Sequence, residues 1–289
     1  MAREIAIFLS DLHIGGLFDY KSFNDLKEKI QRTVYYLTHT TDAIYHIFLL
    51  GDICDYQGLY KTQISFLRGF WQAEIAAKIL FDFMQIFASN HKPSLHLVPG
   101  NHDRRPEQGI NLIDPLVQKL EKMMHKGLPF NICIHEEGEV VRICNKNFLI
   151  MHSVVPRSTG SYAGGITPRI LTAALIMLNN RRDADIIVAG HHHVFAYTDT
   201  VLLLPSFQFS RDPKFNLRGI IIVAEDFIVP ILKRQEFYKF DLFLRELLFY
   251  YAMEMFQMMT YLERKEALDE MERLYEDVKR IKMEESEEE

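Results

Sequence analysis

The sequence predicts an α/β sandwich, a parallel-rich sheet followed by antiparallel strands with helices outside, continued by a C-terminal helical extension. Three observations predict it. Five short apolar runs each end in Gly, Asp, Asn, His or Ser; helical patterns separate the earlier runs; and after residue 194 strand-like pieces follow one another until residue 237. The runs are EIAIFLSD, IYHIFLLGD, LHLVPGN, FLIMHS and DIIVAGH. Short apolar stretches bounded by such punctuation mark strands buried on both faces. Between them, FNDLKEKIQRTVYYL (23–37) and FWQAEIAAKILFDFMQIF (70–87) carry the clearest helical patterns. Later, AYTDTVLLLP and GIIIVAEDFIVPILK read as strands, the second with Asp226 at a hairpin turn. From residue 237 the texture is continuous helix, with Leu268, Met271, Tyr275 and Val278 in 3-4-3 spacing and charges on the other faces. The organisation predicted is a body over 1–236, a helical extension over 237–283 that packs on it, forms a lid or joins two copies, and an acidic disordered tail over 284–289.

The bulk composition excludes several classes. With 289 residues, 48% AVILMFWYC and 25% charged, the chain can bury a full core without disulfides, and a disordered or collagen-like chain is ruled out. The net charge of -6 comes mostly from the terminal EESEEE, so the body is near neutral and carries no broad basic field for nucleic acid. Cys54, Cys133 and Cys144 form an odd set without C-x-x-C spacing, the pattern of buried apolar residues in a reducing compartment. No charged and apolar leader pattern precedes the first strand, and a cytoplasmic location is expected. The most lipid-like stretch, beginning at residue 240, is interrupted by Asp241, Arg245, Glu246 and Glu254 and fails as an uncharged span of about 18 residues.

Each of the five buried runs ends in residues that can bind metal: Ser10-Asp11-Leu12-His13, Gly51-Asp52-Ile53-Cys54-Asp55, Gly100-Asn101-His102-Asp103, His152, and Gly190-His191-His192-His193. Ligands of open α/β sheets gather at the carboxyl ends of strands. Turns alone require none of this imidazole and carboxylate chemistry. DLH, GDICD, GNHD, the lone His152 after FLIM, and GHHH together resemble the five ordered motifs of the calcineurin-like metallophosphoesterase superfamily over about residues 5–195. The resemblance implies a four-layer α-β-β-α sandwich of two mixed sheets, a metallophosphoesterase domain spanning 1–236, and a second sheet completed by the later strands.

The resemblance also implies a dinuclear site. Asp11, His13, Asp52 and His193 would hold one divalent ion, and Asp52, Asn101, His152 and His191 the other, with Asp52 shared. Such an oxygen and nitrogen set suits manganese first, with iron or zinc as alternatives. His191 and His193, at i and i+2, leave one side of an extended segment while His192 points away. Two ions about 3.5–4 Å apart lower the pKa of a bridging water toward ~7 and clamp an in-line displacement at phosphorus. His102 would face the phosphate, stabilising charge or protonating the leaving oxygen. Asp55, the second Asp of the G-D-x-x-D motif, would orient it, with Asp103 as the competing partner.

Departures from the pattern bear on substrate. Ser153 follows His152 where many members carry Gly. Tyr56 stands where Ser/Thr phosphatases of the superfamily place a phosphate-clamping arginine, which disfavours a phosphoprotein. His102 stands where UDP-2,3-diacylglucosamine pyrophosphohydrolases typically show Arg, which weakens that alternative. Arg104, Arg105, Arg157 and the loop STGSYAGGITPR (158–169) are the substrate-contact candidates, since guanidinium forks and glycine backbone suit phosphate. Tyr56, Tyr60 and Trp71 are aromatic candidates for stacking a base or sugar. The expected activity is hydrolysis of a phosphodiester or nucleotide-type substrate. A DNA nuclease of the repair-exonuclease type is the runner-up, leaving nucleic acid open as a substrate, and a non-enzymatic scaffold ranks last. A homodimer through the C-terminal helices is the partner expectation.

Overall fold

The computed structural model describes residues 2–258 apart from 41, 57–64, 88–90, 106–108, 126, 128, 155–165, 211–214 and 236–239, and beyond them Arg273. Arg157, most of the 158–169 loop with Gly164 and Gly165, Tyr60, Leu268, Met271, Tyr275, Val278 and the acidic tail lie outside the described residues.

The five apolar runs all form strands: β1 (Arg3–Leu9), β2 (Ala43–Leu50), β3 (Ser94–Val98), β8 (Lys146–Met151) and β9 (Ile186–Ala189). The two helical patterns become α1 (Tyr20–Thr40) and α2 (Gly69–Met84), the latter ending in a 3-10 turn over Gln85–Phe87. Two short strands, β4 (Arg104–Arg105) and β5 (Ile110–Asn111), lead into α3 (Ile113–Met124). Then follow β6 (Asn131–Ile134), β7 (Glu139–Ile143), α4 (Ile166–Asn180), β10 (Ala196–Tyr197), β11 (Val201–Leu203), β12 (Leu217–Val223), β13 (Ile228–Arg234) and α5 (Phe240–Met258).

Two mixed sheets result. One has the order β13-β12-β1-β2-β3-β6, the other β10-β11-β9-β8-β7. The expectation that the later strands complete the second sheet is corrected here: β10 and β11 join it, but β12 and β13 return to the first, where β12 runs antiparallel to β1. The reason lies in the apolar run of β12. Ile220 and Ile222 on one face and Ile221 and Val223 on the other are all buried, in two different core clusters, a demand met by an inner position beside β1. The turn to β13 closes with the Ala224 amide donating to the Phe227 carbonyl at 3.0 Å, with Asp226 at its corner.

Ala6, Phe8, Phe48, Leu50 and Val98 of the first sheet pack against Phe148, Ile150, Ile186 and Val188 of the second. The opposite face of the first sheet, through Ile5, Ile7, Ile47 and Leu97, packs on α1, α2, α3 and α5. That of the second, through Leu149, Ile187 and Leu203, packs on Ile170 and Ala174 of α4. Of the described part of the helical extension, α5 buries Phe243, Leu244, Leu247, Leu248, Tyr251 and Met255 at i, i+4 spacing in the core beneath the first sheet.

The parallel register places the motifs. Leu9 pairs with Leu49, Leu50 with Val98, and Met151 with Ala189, so the residues that follow each strand emerge side by side. Past the strand ends, the Asp11 amide donates to the Gly51 carbonyl at 3.0 Å and the His13 amide to the Asp52 carbonyl at 2.9 Å.

Candidate metal centre

Among the described residues, five of the seven non-glycine positions with positive φ are Asp11, His13, Asp52, His191 and His193. A left-handed conformation costs a non-glycine residue on the order of 1–3 kcal/mol, so it persists only where surrounding structure enforces it. Here it turns the chain sharply at the strand ends and aims the side chains into one cleft. Close backbone approach completes the arrangement: a Cβ on Gly190 would lie 1.8 Å from Ser10 Oγ and 2.6 Å from Asp11 Oδ2.

Asp52 is central. Its Oδ1 accepts from the His102 backbone amide at 2.8 Å. Its Oδ2 lies 3.2 Å from His152 Nε2, 3.9 Å from His13 Nε2 and 4.0 Å from His102 Nε2. To one side gather Asp11, His13 and His193, with His13 Nε2 and His193 Nε2 3.3 Å apart. To the other gather Asp52, His152 and His191, with His191 Nδ1 and Asn101 Oδ1 each 3.1 Å from His152 Nε2. His152 Nδ1 donates to the Leu50 carbonyl at 2.9 Å, which turns its Nε2 lone pair into the cleft.

Asp55 Oδ1 takes two imidazoles, His102 Nδ1 at 2.9 Å and His13 Nδ1 at 3.1 Å, leaving both Nε2 atoms facing Asp52. Asp103, adjacent to His102 in sequence, instead accepts three backbone amides: Cys54 at 2.8 Å, Gly100 at 3.0 Å and Ile53 at 3.1 Å. It ties the second and third motif loops together. Ser10, given no role from sequence, donates toward Asp11 Oδ2 and the Leu50 carbonyl. Its place directly before the motif Asp was the available signal.

The charge balance calls for a cation. Burial resists ionisation of Asp11, but the His193 imidazole outweighs it and holds the carboxyl at about 2. Asp52 lies well below the ordinary carboxylate range because the attraction of His152 overcomes burial. Asp55 is lowered too, burial being outweighed by hydrogen bonds from His102 and His13. Three buried carboxylates are thus ionised. Without metal, the compensating charge is protons: against burial, Asp55 raises His13 to about 9, and Asp52 raises His152 to about 10. His191 is pushed down to about 4, by burial and then by His152. Asp11 Oδ1 is buried and makes no well-formed hydrogen bond among the described residues, its nearest imidazole being His193 Nε2 at 3.5 Å. Imidazole lone pairs 3.1–3.3 Å apart need a proton or cation between them. An orphaned carboxylate oxygen among oxygen and nitrogen donors fits divalent metal.

A family model described as calcineurin-like phosphoesterase matches residues 6–195. The chain belongs to this family. Within this phosphoesterase the match runs from β1 to just past the GHHH motif, and so includes all seven expected metal ligands. No curated protein matches the sequence. Among solved structures, it is similar to a hypothetical protein from Pyrococcus horikoshii OT3 (11% identity, 91% of this chain and 96% of that one, TM-score 0.47). It is also similar to a protein of unknown function from Aquifex aeolicus (15%, 70% and 89%, 0.29) and to the phosphopantetheinyl hydrolase from Mycobacterium tuberculosis (13%, 71% and 89%, 0.31).

The candidate substrate contacts sit less centrally. Arg104 is exposed and pairs with Glu136 at 3.3 Å, while Arg105 is half-buried with Nε donating to the Asn101 carbonyl at 2.9 Å. Tyr56 and Trp71 are half-buried and pack against the core beneath the first sheet. No described helix is long and apolar enough to cross a membrane.

Proposed function

We propose that this phosphoesterase uses two divalent metal ions, manganese first, to hydrolyse a phosphodiester or nucleotide-type substrate by in-line attack of water at phosphorus. The observation that carries the proposal is the position of Asp52 Oδ2, which faces His152 at 3.2 Å and His13 at 3.9 Å and so stands between the two ligand groups. Asp11, His13, Asp52 and His193 would hold one ion, and Asp52, Asn101, His152 and His191 the other. When bound, such a pair supplies Lewis acidity at the phosphoryl oxygens and an activated water at neutral pH.

The protein's own groups do the rest. Asp55 fixes the His102 ring through Nδ1, so that Nε2 faces the cleft as the donor to the leaving oxygen or to the charge that develops on phosphorus. Asp55 holds His13 through the same oxygen, so the orientations of a metal ligand and of the proton donor are coupled. The rigid frame beneath them, with Asp103 clasping three amides, keeps the reacting geometry from relaxing.

Arg104, paired with Glu136 through Nη1, and Arg105, donating Nε to the Asn101 carbonyl, keep further guanidinium N–H groups as candidate contacts to the substrate phosphate. The three apolar clusters support the four-layer order of helices, sheet, sheet and helix. A cytoplasmic location is part of the same reading, supported by free cysteines, two of them buried.

The test is metal analysis of the purified protein together with turnover of chromogenic mono- and diesters, nucleotides and DNA in manganese, iron and zinc. Two metal equivalents and faster turnover of diesters are expected. Turnover no faster than metal in buffer would refute the enzyme, and strong cleavage of DNA ends would move the assignment to a nuclease.

A further inference from the structure

Beneath the cleft, one hydroxyl joins the far end of the chain to the first motif. Tyr251 of α5 is fully buried, and its Oη accepts from the Gly15 amide at 2.8 Å and donates to the Gly16 carbonyl at 3.1 Å. Burial holds the phenol far above its ordinary pKa, so it keeps the proton it donates. Gly15 and Gly16 follow the DLH motif one residue on, after Ile14, and their backbone forms the wall against which Asp55 rests: a Cβ on Gly16 would lie 1.9 Å from Asp55 Oδ2. A second clasp works from Gln72 of α2 and from Ser65 in the segment before it. The Gln72 amide nitrogen donates to the Asp55 carbonyl at 2.8 Å, and Ser65 Oγ reaches the Gly15 carbonyl at 3.3 Å and the Asp55 carbonyl at 3.1 Å.

We infer that α5 is part of the frame of the active centre and that Tyr251 is a positioning residue, fixing Gly15–Gly16 and through them the Asp55 carboxylate that orients His13 and His102. The inference rests on the phosphoesterase reading and extends it beyond residues 6–195, to a helix that the family match does not reach. A buried loop needs partners for its amides and carbonyls, and here two of them are served by a single side chain 235 residues away. Removing the oxygen while keeping the ring leaves the apolar packing of Tyr251 in place and frees only the loop. Asp55 touches both imidazoles through one oxygen, so a small displacement of the wall misaligns a metal ligand and the proton donor together.

The test compares Tyr251→Phe and Gly16→Ala with wild type and with Phe249→Ala, an exposed position on the same helix. For the zinc-loaded full-length protein, the readouts are metal stoichiometry, kcat and KM separately, and the downfield proton signals of the His13 and His102 Nδ1–H groups bonded to Asp55. Tyr251→Phe is expected to retain two metals and KM, to lose roughly tenfold in kcat, in keeping with the steep dependence of rate on alignment, and to shift both imidazole signals. Gly16→Ala, whose methyl would meet Asp55 Oδ2 directly, is the positive control that shows how the two signals respond when Asp55 is displaced. Phe249→Ala should change nothing. Unmoved imidazole signals in a folded Tyr251→Phe would overturn the inference; if that variant does not fold, rapid hydrogen exchange of the wild-type Gly15 amide, which the Tyr251 hydroxyl should protect, would overturn it instead. If wild type turns over no phosphoester, the functional reading falls, while the imidazole signals still decide the positioning role.

Discussion

Metal uptake at pH 7 should expel at least two protons from the protein. The perturbation is titration of metal-free protein with manganese. His13 at about 9 and His152 at about 10 lie two and three pH units above neutrality, so both are protonated before metal arrives and must be neutral to ligate. The proton on His13 lowers the affinity of its ion at pH 7 by about two decades and that on His152 lowers the affinity of the other by about three, together on the order of 7 kcal/mol for uptake of both ions at 1.36 kcal/mol per pH unit. His191, held at about 4, is already neutral and releases none. The log affinity of the His13 ion should rise by about one per pH unit from 7 to 9 and that of the His152 ion by about one per unit from 7 to 10, so that overall uptake of both rises by about two per unit up to pH 9 and then by about one to pH 10. The linkage for folding has the matching sign. Both histidines have folded values above the ordinary 6.5, so their contribution to metal-free stability is complete below pH 6.5 and is lost as pH rises through 9 and 10. Isothermal calorimetry in buffers of different ionisation enthalpy counts the protons directly. Release of fewer than about one proton per protein at pH 7 would refute the claim that protons take the metals' place on these imidazoles.

Other outcomes follow from the same geometry. His102→Ala should retain both metals and lose about 10²–10³-fold in kcat, as removal of a general acid does; loss of metal in elemental analysis would make His102 a ligand instead. Asp103→Ala strands three buried amides at about 1–3 kcal/mol each, so chemical denaturation should show a fall of several kcal/mol, and a stability close to wild type would sink that role. Gly190→Ala forces a methyl to within 1.8 Å of Ser10 Oγ and should displace Asp11, seen as loss of one metal equivalent.

Much of the centre is legible in the sequence because burial and chemistry coincide there. A strand buried on both faces is a run of apolar residues, and the residues one to three places beyond it meet the cleft, so Asp11, Asp52, Asn101, His152 and His191 stand out against their surroundings. The half-exposed strands β6, NICI, and β7, EVVRI, carry no such contrast and do not stand out in the sequence. The destination of β12 was illegible for another reason: an apolar run states that both faces are covered, and says nothing of which sheet covers them.

The least legible features are those set by partners distant in the chain. Asp103 sits beside His102 in sequence, yet accepts the amides of Ile53 and Cys54, some fifty residues earlier, while His102 turns to Asp55. The positive φ of Asp11, His13, Asp52, His191 and His193 is likewise invisible, since nothing in D-L-H or G-H-H-H marks a left-handed residue. His191 and His193, expected on an extended segment, are both left-handed. Such residues turn the chain back at the strand ends, where an extended continuation would carry it past the cleft, at a conformational cost that long-range ties such as Asp103 with three amides and Ser10 with Leu50 offset. The geometry of the centre therefore depends on its non-ligand residues. Weakening a tie should loosen several ligands at once, whereas removing one ligand should leave the others in place.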